Sequence, residues 1–207
     1  MHQTRQEIST RLPLPRKGNK YVARAMRHRD SVPVILAVRD MLKIARTARE
    51  VKHMIHERLL KLNGKPVLDL HQSIMLFNIF EADKQYRLSL LPQGKFAFEE
   101  LAKPENRLGK IVGKRLVKNG AIQLNLHDGT NVIAKDKSIA VGDSVYLDAK
   151  NKIQSHLPLE KGREVFIIAG RHQGTMGKII AVTASDVTIQ QKGGTTNLRK
   201  DSVVVLT

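Results

Sequence analysis

Arg39, Lys43, Arg46, Arg49, Lys52, His53 and His56 recur at mostly three- and four-residue intervals between residues 39 and 56. Such spacing stacks side chains along a helix face, and a row of cations suits a polyanion such as a phosphate backbone. An ordinary solvated face is the plainer account of charged helix positions. The excess of one sign, with Asp40, Glu50 and Glu57 as the acidic neighbours, favours phosphate. His53 and His56 also have the spacing to approach one metal ion, but two imidazoles do not complete a structural zinc site. The chain has no Cys to add, and the surrounding cations repel a metal. Nucleotide chemistry fares no better, because Gly177-Lys178 is followed by Ile179 where a P-loop needs Ser or Thr to hold magnesium. Carboxylates stand singly among Lys and Arg apart from Glu99-Glu100, and no nucleophile elbow is present. No enzyme, cofactor or small-molecule substrate is expected.

The elements that must position these cations are legible in the apolar residues between them. Val34, Val38, Met41, Leu42 and Ala45 share one helical face, which predicts a helix ending near Arg46. Thr47 and Glu50 then stand in the relation of a capping box, so a second helix begins, with Val51, Met54 and Ile55 as its apolar stripe. Leu60 and Leu62 alternate with Lys61 before Asn63-Gly64, a pair that tolerates the positive φ angles of a tight hairpin. Lys65 to Leu68 should therefore return as a paired strand.

Arg39-Asp40, Ala48-Arg49 and Leu62-Asn63-Gly64-Lys65-Pro66-Val67 together resemble the helix-helix-hairpin RNA-binding motif of the S4 type. That motif usually carries a glycine just before its first strand, where this chain has Glu57-Arg58. The resemblance implies RNA as the polyanion, with Lys65 on the hairpin added to the cations of the helices.

Totals agree with a polyanionic partner. The 207 residues include 36 Lys and Arg against 19 Asp and Glu, a formal net charge of +17. No apolar run reaches the ~20 residues of a spanning helix, and no apolar core marks the N-terminus as a leader, so a membrane partner is not expected. The absence of Cys suits a reducing cytosol. With five Phe, three Tyr and no Trp, stacking platforms for unpaired bases are scarce, and a grip on folded RNA by backbone and shape is the better expectation. Positive charge is densest in residues 1–31, where Pro13 and Pro15 resist helix. This stretch reads as a basic extension, disordered when free and ordered along RNA, with Arg11, Arg16, Lys17, Lys20, Arg24 and Arg27 as phosphate ligands.

The remainder reads as strands. Residues 67–98 should complete the core under the two helices, and a connector around residues 99–106 opens a region of dense turn signals. Asn119-Gly120 and Asp128-Gly129 separate three short β runs, and Val141 to Leu147 suggests another strand pair. Beyond Pro158 and Gly162, two apolar strands flank Gly170, Gly174 and Gly177, with a last turn at Gly193-Gly194. This segment resembles the KOW motif, which implies a contact loop at residues 170–174, with Arg171 and His172 facing a partner.

The order of these parts resembles one family, the small-subunit ribosomal protein S4e of archaea and eukaryotes, nearer its shorter archaeal form. Leu124-Asn125-Leu126-His127-Asp128-Gly129 adds to the likeness. The expected fold is α+β and multi-domain: a basic extension (1–31), a small helical-hairpin/β RNA-binding domain (32–98), and two small β-barrel-like domains, a central one (99–158) and a KOW one (159–207). The resemblance implies a structural constituent of the small ribosomal subunit, cytoplasmic and within the ribosome. Its implied partners are small-subunit ribosomal RNA and neighbouring ribosomal proteins. A non-ribosomal RNA-binding factor in transcription elongation or ribosome assembly is the alternative.

Overall fold

Val32 to Val38 are all buried, and this apolar run is the centre around which the first part of the chain is built. The computed structural model describes residues 2–27, 30–102, 106–117, 120–134, 136, 138–191 and 194–206. It divides into two compact units, residues 1–105 and 106–207.

In the first unit, strands β1 (His2–Thr4) and β2 (Tyr21–Ala23) pair antiparallel. The segment expected as a free extension is therefore folded here. Leu12 and Val22 are buried, the Phe96 N–H donates to the Arg11 carbonyl at 2.7 Å, and the Met26 N–H donates to the His71 carbonyl at 2.7 Å. Two apolar anchors and these ladder-like bonds outweigh the helix-resisting prolines. Arg5 shapes the basic loop between the strands: its guanidinium donates to the Pro15 and Asn19 carbonyls, and its N–H donates to the Lys20 carbonyl at 2.9 Å.

Strand β3 (Val32–Pro33) leads into α1 (Val34–Leu36), which widens into a π-helical turn, Ala37–Met41. The Leu42 N–H bonds the Ala37 carbonyl at 2.8 Å and the Ile44 N–H bonds the Val38 carbonyl at 2.9 Å. Helical structure thus stops well short of Arg46, the end predicted from the apolar spacing. The reason is Lys43, whose φ of +58° takes the chain off the helical path although the apolar spacing runs on to Ala45. Helix α2 (Ala48–His56) follows as expected. The Glu50 N–H donates to Thr47 Oγ1 at 3.2 Å, while the Glu50 carboxylate accepts from the Thr47 hydroxyl at 2.9 Å and from the Arg46 N–H at 2.8 Å. The cap therefore reaches one residue further back than the usual box.

Strands β4 (Lys61–Leu62) and β5 (Lys65–Pro66) form the predicted hairpin, with φ of +52° at Asn63 and +77° at Gly64. With β6 (Ser73–Ile74) paired to β3, the unit is completed by β7 (Ile79–Glu81), β8 (Gln85–Leu90) and β9 (Phe96–Glu100) in a sheet of order β5-β4-β7-β8-β9. The Asn63 side chain accepts from the Ile79 N–H at 2.9 Å and so fastens the hairpin turn to β7.

The second unit contains two five-stranded antiparallel sheets. β10 (Arg107–Leu116), β11 (Ile122–Leu126), β12 (Asn131–Ala134), β13 (Ser144–Leu147) and β14 (Ile153–Leu157) run in the order β12-β11-β10-β13-β14. β10 changes partner along its length, pairing β13 through residues 107–110 and β11 through 111–116, with a bulge at Ile111/Gly113. A bulge bends the strand and strengthens its twist, and the result is a half-barrel over Ile111, Leu124, Val145 and Leu147. β15 (Glu164–Ile167), β16 (Met176–Val182), β17 (Asp186–Gln191), β18 (Gly194–Arg199) and β19 (Val203–Val205) run in the order β18-β17-β16-β15-β19 over a second core of Val165, Ile167, Ile179 and Val203.

The expectation of two small barrels is corrected to this extent: among the described residues no ladder joins the outer strands of either sheet. The bent central strand curls the first sheet without closing it. Asp128-Gly129 makes its turn with Gly129 at φ +80°, whereas Asn119, Gly193 and residues 103–105 of the connector lie outside the described residues.

Candidate nucleic-acid interface

Helix α2 sorts its residues by character. Val51 is fully buried, and Arg49, Lys52, His53 and His56, at positions i, i+3, i+4 and i+7, are all exposed. Along this nine-residue helix they form a continuous basic stripe opposite the anchoring valine, with His56 Nδ1 lying 3.3 Å from Glu57 Oε1. Among the described residues Arg49 and Lys52 have no hydrogen-bond or ion-pair partner, so their charge is available. Glu50 does not cancel it. Its carboxyl is held below the ordinary carboxylate range, chiefly by the bond from the Arg46 N–H, and is committed to the cap.

Arg46 and Lys43 lie exposed on the segment joining the two helical pieces, and Lys65 is exposed on the hairpin. Arg39 differs from them. Its guanidinium makes a bidentate pair with Asp40, with bonds of 2.8 to 3.2 Å, and about a third of its side chain is exposed. In the N-terminal segment, Arg16, Lys17, Lys20, Arg24 and Arg27 are exposed, Lys20 lying over the Tyr21 ring at 5.4 Å, while Arg11 is half-buried and faces Asp30 at 3.7 Å.

In the second unit, Arg171 is exposed and His172 half-buried on the loop between β15 and β16. Gly170 and Gly174 hold positive φ there, as the spacing predicts. Gly177 has a different duty: a Cβ at that position would lie 2.3 Å from Ile189 and 2.9 Å from the Gln190 carbonyl, so β16 and β17 meet only because it has none.

The sheet of the first unit offers a contrast to α2. Three cations on or beside its strands are paired, Lys61 with Glu81 at 4.0 Å, Lys84 with Glu100 at 2.6 Å and Arg87 with Glu99 at 3.0 Å. In this unit free positive charge is concentrated on α2, the segment before it, the β4–β5 hairpin and the N-terminal segment.

Sequence reasoning missed Arg58. It is exposed, has φ +55°, and follows α2 after the capping residue Glu57. The signal was present as the residue standing where the S4-type motif has glycine. Among the described residues no group of three His, Asp or Glu side chains could hold a metal ion, and no helix is long and apolar enough to cross a membrane.

Against known proteins, the profile of the ribosomal family S4e matches residues 82–153. The small ribosomal subunit protein eS4 of Methanospirillum hungatei is 36% identical over 181 residues, spanning 81% of this chain and 74% of the relative. The eS4 of Halobacterium salinarum is 30% identical over 209 residues, spanning 97% and 88%. The crystal structure of the 30S ribosomal protein S4e from Thermoplasma acidophilum is similar with a TM-score of 0.73 at 28% identity, covering 86% of this chain and 95% of that one.

Proposed function

The chain belongs to the S4e family of ribosomal proteins, and from that premise we propose that α2 and its flanking loops form its principal surface for ribosomal RNA. It is a structural, RNA-binding constituent of the small ribosomal subunit and not an enzyme. Its partners are ribosomal RNA and other ribosomal proteins; we further assign it small-subunit RNA, immediate neighbours in that subunit, and a cytoplasmic location within the ribosome.

The observation that carries the surface assignment is the stripe of Arg49, Lys52, His53 and His56, exposed on one face of α2. Arg46, Lys43 and Lys65 extend it, and Arg39 contributes less because Asp40 already neutralises it. Arg16, Lys17 and Lys20, on the loop that Arg5 holds in shape, and Arg24 and Arg27 beyond β2 supply a second set of phosphate ligands, and Arg11 belongs to that segment. Arg171 and His172 form a third contact on a KOW-like loop. In functional terms the chain reads as a basic segment (1–31), an RNA-binding domain (32–98), a central β domain (99–158) and a KOW-like β domain (159–207). Affinity then comes from Lys and Arg on phosphate, and specificity from the shape of folded RNA.

The test is binding of the purified protein to small-subunit ribosomal RNA and to an unrelated structured RNA across a salt series. Each neutralised phosphate contributes roughly −0.9 to the log-log slope on duplex and about −0.7 on single strands. A steep slope with marked preference for the ribosomal RNA is expected. Equal affinity for the two RNAs would defeat the shape-reading assignment.

A further inference from the structure

We propose that Arg58 is a phosphate-contacting residue of this RNA surface, held at the end of α2 in a backbone conformation that a side chain disfavours. The inference rests on α2 being an RNA-binding face. The helix closes in a Schellman arrangement: the Leu59 N–H donates to the Met54 carbonyl at 3.0 Å, and the Arg58 N–H donates to the Ile55 carbonyl at 3.0 Å. The residue at that corner needs positive φ, where the Cβ of an L residue crowds the neighbouring carbonyl, so glycine is the usual occupant. Here it is arginine, at φ +55°.

Both closing bonds are backbone bonds, and glycine would make them with less strain. Folding therefore does not call for arginine. Packing does not either, because Arg58 is exposed and, among the described residues, its guanidinium has no hydrogen-bond or ion-pair partner. A cation at a helix C-terminus is favoured by the helix dipole, but at an exposed position that effect is screened and does not require the strained corner. The same exception occurs at the preceding helical segment. Lys43, just beyond the π-helical turn, has φ +58° and is likewise exposed. Two neighbouring helical segments thus each end on a cation in the conformation that glycine adopts without strain. Strained residues that the fold does not need are retained where a ligand does, and a ligand for cations at both corners is phosphate.

The experiment uses the full chain with Arg58→Gly, Arg58→Lys and, as a reference on the stripe itself, Arg49→Gln. Arg58→Gly should raise the urea midpoint while lowering affinity for small-subunit ribosomal RNA roughly three- to tenfold and flattening the salt slope by roughly 0.7–0.9. Arg58→Lys should keep the parental slope. If Arg58→Gly binds with parental affinity and slope while Arg49→Gln loses both, the proposal fails and the α2 face stands. Parental slopes in all three variants would overturn the face as well. A lowered urea midpoint for Arg58→Gly would refute the strain on which the argument depends.

Discussion

The cations of α2 and those of β10 are the same residue types put to opposite uses. Arg49 and Lys52 are exposed and available, whereas Arg107 and Lys110 are 4% and 3% exposed. The Arg107 guanidinium donates to Asp128, to Thr130 Oγ1 at 3.2 Å and to Asn151 Oδ1 at 2.7 Å, which ties β10 to the turn before β12 and to the β13–β14 turn. Burial pushes its pKa down and Asp128 opposes that shift. Lys110 Nζ donates to the Lys200 carbonyl at 2.6 Å, joining the two sheets of the second unit, and burial lowers its pKa to about 8. A net charge of +17 therefore overstates the charge offered to RNA. Some of the cations are mortar within the sheets.

The comparison breaks most sharply at Arg107. Truncation by Arg107→Ala leaves Asp128 buried without its partner and should destabilise the protein by about 3–5 kcal/mol. Denaturant unfolding measures this, and a loss below about 1 kcal/mol would show that the pair is dispensable.

Lys110 sharpens it through pH. Its folded pKa lies below the ordinary 10.5, so the native state opposes protonation. That cost is fully present below about pH 8 and is relieved as pH rises towards 10.5, contributing up to about 3 kcal/mol of added stability over that window. Lys110→Met removes this contribution. The variant's stability relative to the parent should therefore fall from pH 7 to pH 10.5, and a constant difference would place the lysine's charge elsewhere.

On the other side of the comparison, Arg46→Glu, Arg49→Glu and Lys52→Glu combined should lower RNA affinity by roughly ten- to a hundredfold at low salt and leave the unfolding midpoint nearly unchanged. An equal loss of stability would mean that these cations are also structural. The smallest expected effect is at the cap: Thr47→Ala removes the acceptor for the Glu50 N–H and should cost about 1 kcal/mol. Its effect on RNA binding should follow only from fraying of the stripe, visible as reduced helicity by circular dichroism.

Legibility in the sequence followed the range of the interactions. α2 was readable because its cap, its buried valine and its stripe all lie within ten residues, 47 to 56. Asn63-Gly64 was readable for the same reason, a turn written in its own two residues. The first helix was not, because the positive φ at Lys43 takes the chain off the helical path while the apolar spacing runs on to Ala45. Nothing local marks Arg107 and Lys110 as buried, since their partners Asp128 and the Lys200 carbonyl lie 21 and 90 residues away. Asp143 was likewise invisible as a hub. Its carboxylate accepts from the Ala140 and Leu159 N–H groups at 2.9 Å and faces His156 Nε2 at 2.7 Å, fixing the passage from the first sheet to the second. At the candidate site, the residue types and their helix were legible. The pairing of Arg39 with Asp40 is just as local and was passed over, as was the signal at Arg58, which stands where the S4-type motif has glycine.

β19 lays its three fully buried valines beside β15, and Val205 also donates its N–H to Ser144 at the head of β13. Translation supplies these residues after every other strand of the unit. A nascent chain halted before Val203 would carry an open β15 edge and an uncovered apolar floor, so the second unit gains its protection only as its last strand leaves the ribosome that makes it.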